Sequence, residues 1–181
     1  MSKNKKAAME MSVGTIVTIV LLMSVLILGI FLIQKIFGSA KSAIDMTDKQ
    51  LKNEIKKLFS DQEKLIIYPE TRFLEIKHEE KDAIGLGIQN LATTGSGTNN
   101  FSYIVQDTGS GNCPESVNAE DWIVVGKEDS DIPIPVGEIY SSRIIFQIPI
   151  GTPLCTSRFR VDTTIDGASY KSTSFDISVK G

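Results

Sequence analysis

Apolar and polar positions are strongly segregated along the 181 residues of the chain. Residues 11–33 are 23 consecutive positions without a charge, and no proline interrupts them. At ~1.5 Å per residue, a helix of this length spans about 34 Å, which is enough to cross the ~30 Å hydrocarbon core of a bilayer. The pattern therefore predicts a transmembrane helix over residues 11–37, rather than the buried helix of a soluble core.

A cleaved secretory signal is the alternative interpretation of this segment. Lys3, Lys5 and Lys6 precede it, and residues 38–40 are small enough for a signal peptidase. However, the apolar stretch is longer than the ~7–15 residues of such signals, which favours a retained anchor. The lysines of the basic leader, residues 1–10, favour a cytoplasmic N-terminus and an external C-terminal part.

The next segment, residues 38–62, has apolar positions at helical spacing. Ile44, Leu51, Ile55 and Leu58 fall near one stripe, and lysines occupy the opposite face. We expect an amphipathic stalk helix here. Its stripe requires a partner, which is the chain's own head, a neighbouring subunit or the lipid interface.

Beyond residue 63 the apolar pattern changes to that of β-strands. Strand-like runs separated by turn residues cover 73–78, 83–90, 101–106, 122–125, 139–148, 157–165 and 170–179. Asp166-Gly167, between the last two runs, is typical of a two-residue hairpin turn. We therefore expect an α+β chain, in which the long N-terminal transmembrane and amphipathic helix precedes an immunoglobulin-like β-sandwich of about seven strands at residues 63–181.

Charge is divided between the same two parts of the chain. Nine lysines against four acidic residues give residues 1–60 a net charge of +5, and ten basic against eighteen acidic residues give residues 61–181 a net charge of −8. The total of −3 argues against a strongly basic nucleic-acid binder. The chain is thus a basic stem followed by an acidic head.

Cys113 and Cys155, the only cysteines, both lie in the acidic head. Two cysteines are too few for a four-ligand zinc site, and the single histidine is distant from them in sequence. A disulfide in an oxidising compartment outside the cell is the simplest use, and two reduced thiols are the alternative. Asn100 begins an N-glycosylation sequon beside a polar Gly/Ser/Thr stretch, which makes it a candidate modification site in a host that makes N-glycans.

Signals of enzymatic chemistry are absent from the sequence. It contains no Ser/His/Asp set and no paired metal ligands. Gly85-Leu86-Gly87 is not a phosphate-binding loop, because it lies inside a strand pattern. We expect His78 to be a solvated surface residue, and Glu128, Asp129 and Asp131 to form a solvated acidic loop. The chain is accordingly predicted to be neither an enzyme nor the carrier of a cofactor, and no small-molecule substrate is identified.

Three turn motifs of the head carry a resemblance to known extracellular modules. Ile-Gln-Asn at 88–90 precedes a Gly/Ser/Thr loop, Pro-Val-Gly-Glu at 135–138 precedes a long strand-like run, and Ile-Pro-Ile-Gly-Thr-Pro at 148–153 precedes the next run. Over residues 80–181 these motifs resemble those of the cell-adhesion-related (CARDB) and NEW3-type β-sandwich modules. The resemblance implies a passive spacer or a binding platform.

The N-terminus combines a lysine-rich leader, two small residues, a glutamate and the long apolar helix, and a β-rich head follows. This order resembles the class III signal region of type IV pilin-like and archaellin-like subunits. The resemblance implies cleavage by a dedicated peptidase in the region of Lys6, Ala7 and Ala8, and assembly of the helices into a filament core. Glu10 then has two interpretations: it pairs with a neighbour's new N-terminal amine and sets the axial register, or it is solvated at the headgroup boundary.

The sequence therefore predicts a non-enzymatic cell-surface structural protein, a pilin-like or archaellin-like subunit. Its expected partners are the lipid bilayer and further copies of the chain or a related pilin-like subunit. The alternative is a single-pass, membrane-tethered ectodomain with an immunoglobulin-like fold, used for adhesion or for binding envelope layers or proteins. In both cases the chain crosses the cell membrane once, with its N-terminus on the cytoplasmic side and its C-terminal domain outside.

Overall fold

The uncharged N-terminal segment forms one long helix, α1, over Lys3–Gly38. The structure, a computed structural model, describes residues 3–38, 43–60, 62–93 and 97–181, with side chains described from residue 14 onward except at 33–38. Its contacts divide the chain into two units, Met1–Lys41 and Ser42–Gly181.

The second unit begins with a 3₁₀ turn, Ala43–Asp45, and helix α2, Asp48–Leu58. Thr47 starts α2 with a capping box, in which the Thr47 hydroxyl accepts from the Gln50 N–H at 3.3 Å and the Gln50 side-chain oxygen accepts from the Thr47 N–H at 3.0 Å. This cap fixes where α2 begins. The described α-helix is therefore shorter than the stalk helix predicted for residues 38–62.

In the described part of the chain beyond α2, nine strands form two sheets. The strands are β1 (Leu65–Tyr68), β2 (Phe73–Lys77), β3 (Lys81–Gln89), β4 (Thr98–Gly111), β5 (Ile123–Val125), β6 (Glu128–Pro135), β7 (Ile139–Gln147), β8 (Thr156–Ile165) and β9 (Ala168–Lys180). One sheet has the order β1-β3-β7-β5, and the other has the order β2-β9-β8-β4-β6. Between these nine strands the pairings are antiparallel, except that β2 pairs in parallel with β9.

The two sheets share one core, because alternate residues of each strand point toward the other sheet. Phe146 on β7 lies with its ring centroid 5.2 Å from that of Phe159 on β8 and 5.8 Å from that of Phe175 on β9. Trp122 is 1% exposed and lies 6.2 Å from Phe159. Aromatic contacts between the sheets therefore hold the β-rich part together.

The prediction of about seven strands omitted β1 and β6. The Asp- and Pro-rich composition of β6 predicts a loop, but β6 is an edge strand that pairs with β4. The Val136 N–H donates to the Gly97 carbonyl, toward β4, so the nitrogens of Pro135 and Pro133 face outward, where no partner is needed. Glu128, Asp129 and Asp131 are exposed, as expected, but they lie on this strand rather than in a loop.

The hairpin predicted at Asp166-Gly167 joins β8 to β9, and both residues have positive φ, 48° and 82°. The Asp166 carboxylate accepts from the Asn99 side chain at 2.8 Å and from the Asn100 N–H at 3.0 Å. These hydrogen bonds lower the pKa of Asp166, since they favour its charged form. The turn is thereby fixed to the neighbouring strand β4.

Candidate functional site

The most distinctive surface of the chain is that of α1. Residues 14–32 are long and apolar enough to cross a membrane, as an anchor or as a signal sequence, and none of the window is buried by the rest of the described chain. Their large apolar side chains are 48–67% exposed on every side of the helix. Such a surface requires an apolar environment that the chain itself does not supply.

The hydroxyl groups within this apolar stretch are compatible with lipid. Thr18 donates to the Gly14 carbonyl and Ser24 donates to the Val20 carbonyl, both at 2.8 Å. An unpaired hydroxyl donor in hydrocarbon would cost several kcal/mol, and these bonds within the helix avoid that cost. The segment therefore presents an uncharged surface whose Thr18 and Ser24 donors are satisfied internally.

The apolar stripe of α2 packs on its own β-rich head, one of the three partners expected for it. Leu51 is 3% exposed and Ile55 is fully buried against the outer face of β3. The helix comes this close because β3 carries glycines there: a Cβ added at Gly85 would lie 2.7 Å from Cδ1 of Leu51, and one at Gly87 would collide with Cγ2 of Ile55. The two glycines thus form a seat for α2 on this sheet.

The strand pattern around Gly85-Leu86-Gly87 argues against a phosphate loop but does not by itself predict this seat. The available signal was the run of small residues at 83, 85 and 87, which fall on one face of a strand whose other face is Ile84, Leu86 and Ile88. A strand face without large side chains leaves room for a helix.

Arg143 on β7 holds the start of α2. Its Nη2 donates to the Met46 carbonyl at 2.6 Å and lies 3.4 Å from Oδ1 of Asp48. Because the Asp48 side chain is 98% exposed, this ion pair contributes little stability, and the partly buried hydrogen bond to Met46 is the stronger attachment. The segment that leads into α2 is thus tied to the sheet.

The turn after β7, residues 148–154, is held by several hydrogen bonds. The Nε2 of His78 lies 2.7 Å from the Thr152 carbonyl, so Nε2 must carry the proton. The Glu79 N–H donates to the Ile148 carbonyl at 2.9 Å, and the Thr152 hydroxyl donates to the Pro149 carbonyl at 2.8 Å. The sequence predicts a solvated surface His78, and the structure gives its ring intermediate exposure, with a bond to this turn.

The outward faces of β4, β6 and β8 form an open groove of about 560 Å³. Its polar side chains are largely bonded within the protein: Asp129 accepts from the Tyr140 hydroxyl at 3.1 Å, and Asp162 accepts from Ser172 at 2.6 Å and from Arg160 at 2.8 Å. Burial raises the pKa of the Tyr140 phenol. Within the described ranges, no three His, Cys, Asp or Glu side chains are grouped so as to hold a metal. The groove offers hydrogen-bonding side chains but no assembled reactive set.

The disulfide expected between Cys113 and Cys155 is present, with a Cα–Cα distance of 4.9 Å. It continues the pairing of β4 with β8, since Gly111 is opposite Ser157 and the Asn112 N–H donates to the Thr156 carbonyl at 3.0 Å. A closed loop of about 43 residues corresponds to about 4 kcal/mol of stability in the chain-entropy model. The disulfide therefore fastens the end of this strand pair.

The structure brings the remaining candidate residues into no common site. The backbone of Lys6, Ala7, Ala8 and Glu10 belongs to α1, but their side chains lie outside the described residues, so cleavage and register stay predictions. Asn100 is exposed but lies within strand β4, where its N–H is bonded to Asp166, rather than in the adjacent loop. Its glycosylation also stays a prediction.

No family model matches the sequence, and no curated protein matches it significantly. Among solved structures, Escherichia coli alpha-2-macroglobulin matches with a TM-score of 0.43 and 13% identity, over 64% of this chain and 6% of that one. The ASH/PapD-like domain 7 of human CEP192 matches with a TM-score of 0.42 and 11% identity, over 65% of this chain and 84% of that domain. A type I cohesin from Pseudobacteroides cellulosolvens matches with a TM-score of 0.29 and 11% identity, over 60% of this chain and 88% of the cohesin. These similarities are too slight to assign a fold family or a function.

Proposed function

We propose that the chain is a membrane-anchored structural protein of the cell surface, a subunit of the pilin-like or archaellin-like kind. The observation that carries the proposal is α1, whose residues 14–32 present apolar side chains on every side and are not buried by the chain. A bilayer supplies the missing environment before assembly, and neighbouring copies of α1 supply it in a filament core.

We also propose that residues 63–181 form an immunoglobulin-like sandwich. The order β1-β3-β7-β5 corresponds to strands A, B, E and D of that fold, and β9-β8-β4-β6 corresponds to G, F, C and C′. The first strand is divided, since β1 pairs with β3 and β2 then joins β9 in the other sheet. One departure is that β5, at the position of strand D, precedes β6 in the chain.

The disulfide supports an external location for this head, because such bonds persist in oxidising compartments. With an internal N-terminus, the basic leader stays on the cytoplasmic side and α1 crosses the membrane once. Maturation then removes the leader after Ala7 or Ala8, which frees an amine close to Glu10. That amine and the Glu10 carboxylate of a neighbouring copy are the charges that set the axial register of the filament.

N-terminal sequencing of the protein collected from the cell surface tests this proposal. Mature chains that begin at Ala8 or Met9 would support it, and a chain that retains Met1 or Ser2 in all surface material would rule it out. The two possible cut sites differ by one residue, so the sequencing also fixes where Glu10 lies in the mature chain.

A solitary membrane-tethered ectodomain is the second candidate, and one observation favours it. The stripe of α2 is already covered by the chain's own head, with Leu51 and Ile55 buried, so it does not require a neighbouring subunit. Negative-stain microscopy of the detergent-extracted chain separates the candidates. Filaments that form reproducibly on detergent removal argue against the ectodomain, and dispersed single particles argue against the pilin-like subunit.

A further inference from the structure

The turn at residues 148–154 exposes two large apolar side chains. Ile150 is 74% exposed and Leu154 is 66% exposed, which are the highest values among large apolar residues in the described part of Ser42–Gly181. Isolated exposed apolar side chains are common on protein surfaces. The significance of this pair depends on how the turn is built and where it lies.

The turn is built to stay in one conformation. His78 and Glu79 attach it on one side through the carbonyls of Thr152 and Ile148, and Gly151 reverses the chain with a φ of 82°. On the other side, the Cys155 carbonyl accepts from Val179 at 2.8 Å and its sulfur is bonded to Cys113. The exposed side chains are therefore held outward by a fixed backbone, and do not belong to a loose loop.

The strand register shows which end of the second unit this turn occupies. It is the end at which the chain enters that unit after α1. Lys81 is opposite Gln147, so the first residue of β3 lies beside the last residue of β7. The entering 3₁₀ turn contacts the same region, because Ala43 and Ala83 share one buried cluster. In the sequence, only four residues separate the last residue of α1, Gly38, from Ala43.

We infer that Ile150 and Leu154 dock on the bilayer that holds α1, at the boundary between the headgroups and the acyl chains. Two side chains are too small a patch for a specific protein interface, which buries about 800 Å² on each partner. They are sufficient for a lipid contact, because the anchor makes that contact intramolecular and raises its effective concentration. The inference rests on the proposed function in one respect, that α1 is retained as an anchor.

The experiment reconstitutes the full chain into nanodiscs whose lipids carry either ordinary or brominated acyl chains, and measures tryptophan emission. Ile150→Trp reports on the turn, and Val136→Trp is the matched control. Both positions hold exposed aliphatic side chains that directly precede a glycine with a φ of 82°. Val136 lies at the opposite end of the sheet, since Ile139 pairs with Gln89. The native Trp122 is buried and gives the same background in every sample.

Bromine quenches tryptophan only at short range, so we expect brominated lipids to lower the added emission of Ile150→Trp about twofold and to leave that of Val136→Trp unchanged. Equal quenching of both variants, or of neither, in chains that co-elute with the nanodiscs would overturn the inference. An emission change that follows the number of chains per disc, and not the bromine, would identify a second copy as the occupant and would also overturn it. A chain that elutes apart from the nanodiscs would refute the anchor, and with it the docking.

Discussion

The seat of α2 on β3 makes a quantitative prediction about paired substitutions. Ile55→Ala removes three buried carbon groups, worth about 2.4 kcal/mol by transfer, and the remaining cavity raises the cost to about 3 kcal/mol. Gly87→Ala inserts a methyl group where Ile55 and Phe59 already lie, at a cost of about 1–3 kcal/mol. In the double variant the new methyl occupies space that Ile55 has left, so the loss should be smaller than the sum by about 1–2 kcal/mol.

The assay is urea unfolding of the full chain in detergent, followed by the emission of Trp122, which is buried in the core. Ile177→Ala combined with Gly87→Ala is the matched control, because Ile177 is also fully buried but belongs to the other hydrophobic cluster. That pair should be additive within about 0.5 kcal/mol. If Ile55→Ala and Gly87→Ala are additive as well, α2 does not pack on this glycine seat.

Three further predictions concern the disulfide, an ion pair and the N-terminal carboxylate. Replacing Cys113 and Cys155 together by serine should lower the free energy of unfolding by about 4 kcal/mol, and reductant should have no further effect on this variant in urea titrations. Hydrogen bonds from Arg158 lower the pKa of Asp176 in the folded state. The contribution of Asp176 to stability is therefore complete above the ordinary carboxyl pKa of 3.8, and it is lost as the pH falls through the lower folded value. Asp176→Asn should flatten this part of the acid unfolding profile. Glu10→Gln should abolish filaments in electron micrographs while the chain still sediments with membranes, whereas normal filaments would indicate a solvated Glu10.

Features set by local pattern were predictable from the sequence. Helix α1 was predictable because the length and apolar composition that a membrane-spanning helix needs are properties of one continuous segment. The turn at Asp166-Gly167 followed from its need for two positive φ values, and seven strands followed from alternation. The disulfide partners were the only two cysteines, so no choice between pairings was needed.

Features set by long-range contacts were not predictable in the same way. β6 has the composition of a loop, and only its position at a sheet edge makes Pro133 and Pro135 acceptable in a strand. The role of Gly85 and Gly87 depends on a helix about 30 residues earlier in the chain. The charged neighbours of His78 predict a solvated ring, but the ring is bonded to Thr152, 74 residues away.

The exposed turn was also hidden in the sequence. The sequence of residues 148–153 predicts a turn before the next strand, and nothing in their composition indicates which end of the sheet they occupy. The register of β3 with β7 settles that question, since it puts the start of β3 beside the end of β7. The lipid contact that we infer for the head therefore follows from topology and not from hydropathy.

The central claim is that α1 anchors the chain in a membrane with the β-rich head outside. Proteolysis of intact cells that produce the full chain, followed by mass spectrometry of the carbonate-washed membranes, tests it most directly. The account predicts that peptides from residues 63–181 disappear on treatment of intact cells, while a fragment containing residues 14–32 stays in the membrane pellet. Head peptides that survive until the cells are lysed, or a chain that the carbonate wash releases, would contradict it.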